Sequence, residues 1–124
     1  MATTVQVFDN NDFGTIRTIN DGGRVLFCGK DVATALGYVN TKDALARHCK
    51  GVVKRYPLDT PGGTQHFVFI AEGDLYRLIA SSKLPAAERF ESWVFDEVLP
   101  SIRRYGMYAI DELLLGAVAR YSTA

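Results

Sequence analysis

Alternating apolar and polar residues at the start of the chain predict three short β-strands. Val5 and Val7 alternate with polar neighbours, as in a half-buried strand. The predicted strands are Thr4–Phe8, Thr15–Asn20 and Arg24–Cys28. Residues 10–12 and 21–23 lie between them and are rich in Asn, Asp and Gly, and both Asn and Gly tolerate the positive φ angles of tight turns. This part of the chain is therefore predicted to be a β-meander that serves as a scaffold.

The apolar spacing then changes to that of helices and predicts a pair of them. Lys30–Leu36 has apolar residues on one side, and Gly37 follows as a C-cap. Thr41–Cys49 forms the second helix, which the side-chain oxygen of Asn40 can cap. Two helices joined by a tight turn have the layout of a helix-turn-helix, whose second helix can enter the major groove of DNA. Helical hairpins of this size also occur in folds that do not bind DNA, so the pattern alone leaves the function open.

A β-hairpin with the layout of a wing is predicted next. Val52–Leu58 and Thr64–Ile70 are rich in β-branched and aromatic residues, and residues 59–63 form the loop between them. Lys54 and Arg55 occupy adjacent positions in the first of these strands. Because adjacent side chains of a strand point to opposite faces, only one of the two can share a surface with the helix pair.

The remaining part of the chain is predicted to be helical. Glu72–Ser82 forms one helix, and Ala86–Tyr105 forms a long helix with a broad apolar face that Pro100 should kink. Ile110–Tyr121 adds an amphipathic tail in which Leu113–Leu115 suggests oligomerisation or contact with a further domain. The predicted fold class is α+β: a meander and a hairpin packed with a helix-turn-helix-like pair and C-terminal helices.

Composition and charge narrow the possible functions. The 124 residues are 48% hydrophobic, which suits one domain with a buried core. The net charge is zero, but residues 41–58 carry a net charge of +4. The basic side chains of this segment are Lys42, Arg47, Lys50, Lys54 and Arg55. Such a cluster indicates a nucleic-acid-binding surface or an ordinary solvated face.

The sequence favours a binding protein over an enzyme. His48, His66 and the two cysteines lack the spacing of zinc ligands, and no nucleophile motif, P-loop or dinucleotide fingerprint occurs. We therefore expect no catalytic activity, no cofactor and no metal. Cys28 and Cys49 fit reduced thiols, and we expect neither a signal peptide nor a membrane-spanning segment. A cytoplasmic location is the expectation.

Three motifs carry a family resemblance. They are FCGKDVATALGY at residues 27–38, GDLYRL at residues 73–78 and EVLPSIR at residues 97–103. From Phe8 to Tyr108 the chain resembles the Bro-N domain of viral Bro proteins and prophage antirepressors. It departs from the family pattern at residues 72–76, where EGDLY replaces ESGLY. The resemblance implies a DNA-binding domain, usually the amino-terminal module of a phage or viral regulator, and it implies a bacterial host for the cytoplasmic location. We expect a Bro-N-like domain over residues 1–108, and a tail over residues 109–124 that oligomerises or begins a second domain.

Two functions from different classes follow. The first is a DNA-binding regulatory domain that controls transcription and acts on double-stranded DNA, with the chain as a homo-oligomer. In it Asn40, Thr41 and Lys42 lie at the groove, while Arg47, Lys50 and either Lys54 or Arg55 hold phosphates. The second is an antirepressor that binds a phage repressor protein without contacting DNA.

Overall fold

Five antiparallel strands form one sheet in the computed structural model, which describes residues 4–50 and 54–104. The strands lie in the order β1-β2-β3-β5-β4. Their bounds are Thr4–Asn10 for β1, Gly14–Asp21 for β2, Arg24–Cys28 for β3, Lys54–Thr60 for β4 and Gly63–Ile70 for β5. The predicted meander and hairpin are both present, and β3 pairs with β5 to join them.

Within residues 4–50 and 54–104, four complete α-helices accompany the sheet and confirm the predicted α+β class. They are α1 (Gly29–Ala35), α2 (Thr41–His48), α3 (Glu72–Ser81) and α4 (Ala87–Trp93). The described residues divide into two compact units with a boundary after Phe90. No helix among the described residues is long and apolar enough to cross a membrane. The predicted tail at Ile110–Tyr121, with Leu113–Leu115, lies outside the described residues.

One face of the sheet, which we call the concave face, buries its own apolar cluster. The cluster consists of Ile19, Leu26, Cys28, Phe67 and Phe69, with Tyr56 and Leu58 packed against it. Lys54 of β4 pairs with Asp21 of β2 at 2.9 Å on this side. In a flat sheet these strands would be about 14 Å apart, since three inter-strand spacings separate them. The sheet therefore curls around the cluster.

The opposite face, which we call the helix face, is buried as well. Ile16, Phe27 and Ile70 point to this side and are 0% exposed. Helix α1, which contacts β2, β3 and β5, and helix α3, which contacts β3, pack here, since the concave cluster contains strand residues and the N-cap of α3. Burial on both faces explains why β3 and the end of β5 are almost continuously apolar.

The exposed face of β1 differs from the sequence expectation. Val5 and Val7 are 39% and 54% exposed, although their alternation with polar residues predicts a half-buried strand. The strand itself is present, and it pairs with β2 along its whole length. Because β1 is an edge strand at the rim of the curled sheet, its two valines lie beyond the concave cluster.

The irregularity predicted at Pro100 takes the form of a widened turn. Residues Val94–Val98 are π-helical, and the Leu99 N–H donates to the Val94 carbonyl five residues earlier. Helical residues 99–104 follow. Proline has no N–H to donate, and its ring clashes with the carbonyl four residues before it in an α-helix. A wider turn immediately before the proline relieves both constraints, so the helix continues through it.

Candidate nucleic-acid interface

The turn between α1 and α2 is closed by a Schellman motif. Gly37 has φ 81°, and its N–H donates to the Thr34 carbonyl at 3.1 Å. The Tyr38 N–H donates to the Ala33 carbonyl at 3.0 Å. These two bonds satisfy carbonyls that the end of α1 would leave without partners. The predicted C-cap at Gly37 is therefore confirmed, and it sets the direction in which the chain leaves α1.

Helix α3 holds this turn through two side chains. The Tyr38 hydroxyl donates to the Leu78 carbonyl at 2.8 Å, and the Ser82 hydroxyl donates to the Leu36 carbonyl at 2.8 Å. Burial raises the pKa of the Tyr38 hydroxyl above the ordinary value for tyrosine, so the group remains a donor at neutral pH as other tyrosines do. The start of the second helix is thus fixed relative to α3.

A buried carboxylate holds the other end of α2. Asp74, in the first turn of α3, is 2% exposed. Its Oδ1 accepts from the Lys50 backbone N–H at 2.9 Å and from the Arg77 guanidinium. Lys50 comes two residues after the last residue of α2, so Asp74 ties the end of that helix to α3. Charge-assisted bonds to a buried carboxylate are among the stronger hydrogen bonds in a protein.

Asn40 is the N-cap of α2, as predicted, and this role limits how its side chain can contact a ligand. Its Oδ1 accepts from the Asp43 N–H at 3.0 Å. The amide oxygen is therefore engaged, while the exposed NH₂ group can still donate to a ligand. Thr41 is half-buried. Of the three residues predicted at the groove, Lys42 is the exposed cation.

The exposed face of α2 is basic and narrow. It consists of Lys42, Asp43, Ala46 and Arg47. Arg47 and Asp43 form an ion pair at 3.1 Å, with side chains 71% and 52% exposed. Such an exposed pair is worth less than about 1 kcal/mol, so a phosphate can replace Asp43 as the partner of Arg47. Lys42 and Lys50 are exposed and form no ion pair within residues 4–50 and 54–104.

The opposite face of α2 packs closely onto α1. A Cβ placed on Gly29 would lie 2.9 Å from both methyl carbons of Leu45. It would also lie 3.4 Å from the Val68 carbonyl oxygen of β5. Gly29 therefore allows α1 to lie close to both α2 and β5. With Ala44 also buried, this packing leaves the basic face of α2 pointing outward.

The structure places Lys54 and Arg55 on different sides of the sheet. Lys54 faces the concave side, where it pairs with Asp21. Arg55 is exposed on the helix face and lies opposite Val68. Because α2 packs against α1 and α3, the helices that cover the helix face, Arg55 is the member of the pair on the same side of the sheet as α2. Of the seven predicted residues, five lie in α2 or within two residues of it, Arg55 lies on the same side of the sheet, and Lys54 faces the other side.

The sequence pattern does not predict one exposed residue of this surface. Val39, directly before the cap of α2, has a relative exposure of 102%. Its exposure can be inferred only from its position in the chain. An apolar residue between a C-cap glycine and an N-cap asparagine lies outside both helices and so belongs to neither of their buried faces.

Residues 4–50 and 54–104 also contain residue types that can bind metals or act as nucleophiles. No group of three His, Cys, Asp or Glu side chains in that part of the chain could hold a metal. Burial raises the pKa of the Cys28 thiol and of the Cys49 thiol to about 11. Both thiols are free, and in protonated form they are poor nucleophiles.

Asp31, in the first of the three motifs, is also part of the scaffold. Arg17 donates to it from its backbone N–H at 2.9 Å and from Nε at 2.8 Å. The Asp31 carboxylate raises the pKa of Arg17, and the guanidinium lies 4.3 Å above the Phe67 ring. Asp31 thereby joins β2, α1 and β5. Asp31, Tyr38 and Asp74 are all motif residues, and all three position elements rather than face solvent.

Comparison with known proteins identifies the family. The model of the BRO family N-terminal domain, Bro-N, matches residues 15–100. An uncharacterized protein of Haemophilus influenzae is 51% identical over 98 residues, which cover 77% of this chain and 48% of that protein. The Bro-N domain-containing protein 201R of Invertebrate iridescent virus 6 is 39% identical over 113 residues, covering 74% of this chain and 27% of its own length.

A Bro-N domain-containing protein of Autographa californica nuclear polyhedrosis virus is 26% identical over 118 residues, covering 82% of this chain and 36% of that protein. No solved structure matches the chain. The chain spans less than half the length of these relatives. Its match to the family model and to the iridescent virus protein shows that the chain belongs to the Bro-N family.

Proposed function

We propose that the chain is a non-enzymatic DNA-binding domain of a phage or viral regulator, and that α2 enters the major groove of double-stranded DNA. The observation that carries this proposal is the exposed basic face of α2 on a helix that α3 holds at both ends. A recognition helix needs this combination, because its side chains must reach the groove while its backbone stays fixed.

The residues divide into two roles. Lys42 lies in the first turn of α2, the part of a recognition helix that meets base edges, and a lysine there can donate to guanine O6 or N7. Arg47, Lys50 and Arg55 hold phosphates. Ala46 lies between Lys42 and Arg47 on the exposed face, and its small side chain lets the helix approach the bases.

The charge pattern sets the strength of binding. With zero net charge, the chain has no general attraction for DNA, so affinity depends on the basic segment. Three phosphate contacts would release enough counterions to lower the affinity about fortyfold between 50 and 200 mM salt. We therefore expect binding by one copy to be weak and strongly dependent on salt.

Fluorescence anisotropy with a labelled DNA duplex tests this proposal. The variant Lys42→Ala/Arg47→Ala removes two cations from the exposed face of α2 and should lower affinity about tenfold or more at 50 mM salt. The matched control is Arg24→Ala/Lys54→Ala, which removes the same charge from strand positions on the concave side. The control should bind within about twofold of the unchanged chain. Equal losses in both variants would contradict the proposed site.

The alternative, a protein that binds a phage repressor without contacting DNA, rests on Leu113–Leu115, which lie outside the described residues. Co-purification with a repressor, without binding of duplex DNA at 50 mM salt, would favour that function instead. We favour DNA binding because the exposed basic face of α2 lies within the described residues.

A further inference from the structure

Val39 is the most exposed of the large apolar side chains that project from the described surface. Its relative exposure of 102% compares with 54% for Val7. Scattered exposed valines are common on soluble proteins. What distinguishes Val39 is its place, in the short turn that leads into the helix proposed to enter the groove.

The backbone on both sides of Val39 is held in place. Before it, the Tyr38 N–H and hydroxyl are bonded to α1 and α3 respectively. After it, the Asn40 side chain is bonded to the first turn of α2. Val39 therefore has a defined position relative to Lys42. A β-branched side chain adds little conformational freedom of its own, since few χ1 rotamers are open to it.

The groups beside Val39 indicate what it can contact. Lys42 is exposed and has no ion-pair partner in the described part of the chain. The NH₂ group of Asn40 can donate, whereas its oxygen is engaged in the cap. The complementary surface would carry an apolar group next to hydrogen-bond acceptors and negative charge. The major groove offers this arrangement at thymine, whose C5 methyl lies beside the O4 acceptor and between the phosphate backbones.

We propose that Val39 contacts the C5 methyl group of a thymine and so gives the domain a preference for thymine at one base pair. The inference rests on the proposed function and adds the base that the turn recognises. Burial of one methyl group against an apolar side chain is worth about 0.8 kcal/mol, which corresponds to about fourfold in affinity. The contact would thus refine specificity, while phosphates supply most of the binding.

The test combines a protein change with removal of the methyl group from the DNA. Selection from a random duplex library with the full chain supplies a preferred sequence. Each thymine of that sequence is then replaced in turn by deoxyuridine, which lacks only the methyl group. At one position, the replacement should weaken binding by the unchanged chain about fourfold. Val39→Ser should bind the thymine and uracil duplexes equally.

Val7→Ser is the matched control, because it makes the same change at an exposed valine on the edge strand β1. It should keep the full preference for thymine. Circular dichroism melts of both variants should match the unchanged chain, since neither side chain belongs to the buried core.

The possible results separate this inference from the proposed function. If Val39→Ser keeps the preference for thymine, or lowers binding to both duplexes by the same factor, the methyl contact is overturned while DNA binding stands. Binding without base preference, or a selected sequence without thymine, also overturns it. If the unchanged chain binds no duplex, the proposed function and this inference fail together.

Discussion

At the scale of single residues, three polar side chains of the family motifs connect neighbouring elements through hydrogen bonds. Asp31 joins a helix to two strands, Tyr38 joins the turn before α2 to α3, and Asp74 joins the end of α2 to α3. The motif residues therefore position the helices of the domain. The proposed contacts with DNA, such as those of Lys42 and Arg47, lie outside the motifs.

Asp74 provides a direct test of this view. Asp74→Ala would remove a buried carboxylate and leave the part-buried Lys50 N–H and the Arg77 guanidinium without this acceptor, so we expect the free energy of unfolding to fall by about 2 kcal/mol. Asp43→Ala is the control, because it removes a carboxylate whose ion pair is exposed, and it should cost less than about 1 kcal/mol. Urea unfolding of the two variants measures both values. If Asp74→Ala lowers the free energy of unfolding by no more than Asp43→Ala does, Asp74 does not hold α2 to α3.

At the scale of elements, local signals predicted the helix pair well. Gly37 and Asn40 act through bonds to residues within five positions, so their roles can be inferred from neighbouring sequence. The exposed valines of β1 could not be inferred in this way. Val5 and Val7 show the alternation of a half-buried strand, and their exposure depends on the position of β1 at the edge of a curled sheet.

Two glycines of the motif segments should respond in opposite directions to the same substitution. Gly37 has a positive φ, so Gly37→Ala should cost about 1–2 kcal/mol through backbone strain. Gly73 is helical without a positive φ, and a Cβ there would lie 3.5 Å from Arg77 Nη1, an ordinary contact. Gly73→Ala should therefore stabilise the domain by about 0.5–1 kcal/mol. Unfolding midpoints measure both effects, and changes of the same sign would contradict the conformations assigned to these residues.

At the scale of the whole molecule, the zero net charge conceals a basic segment at residues 41–58. The fold places the basic side chains of this segment, except that of Lys54, on one side of the sheet. The basic segment was visible in the sequence, but the choice between Lys54 and Arg55 needed the strand register and the curl that brings Lys54 to Asp21. The proposed role of Val39 likewise depends on the fold, because hydrogen bonds on both sides of the turn give this exposed valine a defined position.

The central claim is that the exposed face of α2 meets DNA, and a photo-crosslinker at Ala46 tests it most directly. Ala46→Cys places an exposed thiol between Lys42 and Arg47. The pKa of about 11 at Cys28 and at Cys49 leaves both native thiols protonated at pH 8, so the new thiol can be labelled selectively. Val7→Cys, labelled in the same way, is the control on the edge strand. We expect the label at residue 46 to crosslink to bases of a bound duplex at 50 mM salt, and the label at residue 7 to crosslink only at background level. Crosslinking at residue 46 no higher than at residue 7, with the duplex bound, would contradict the claim.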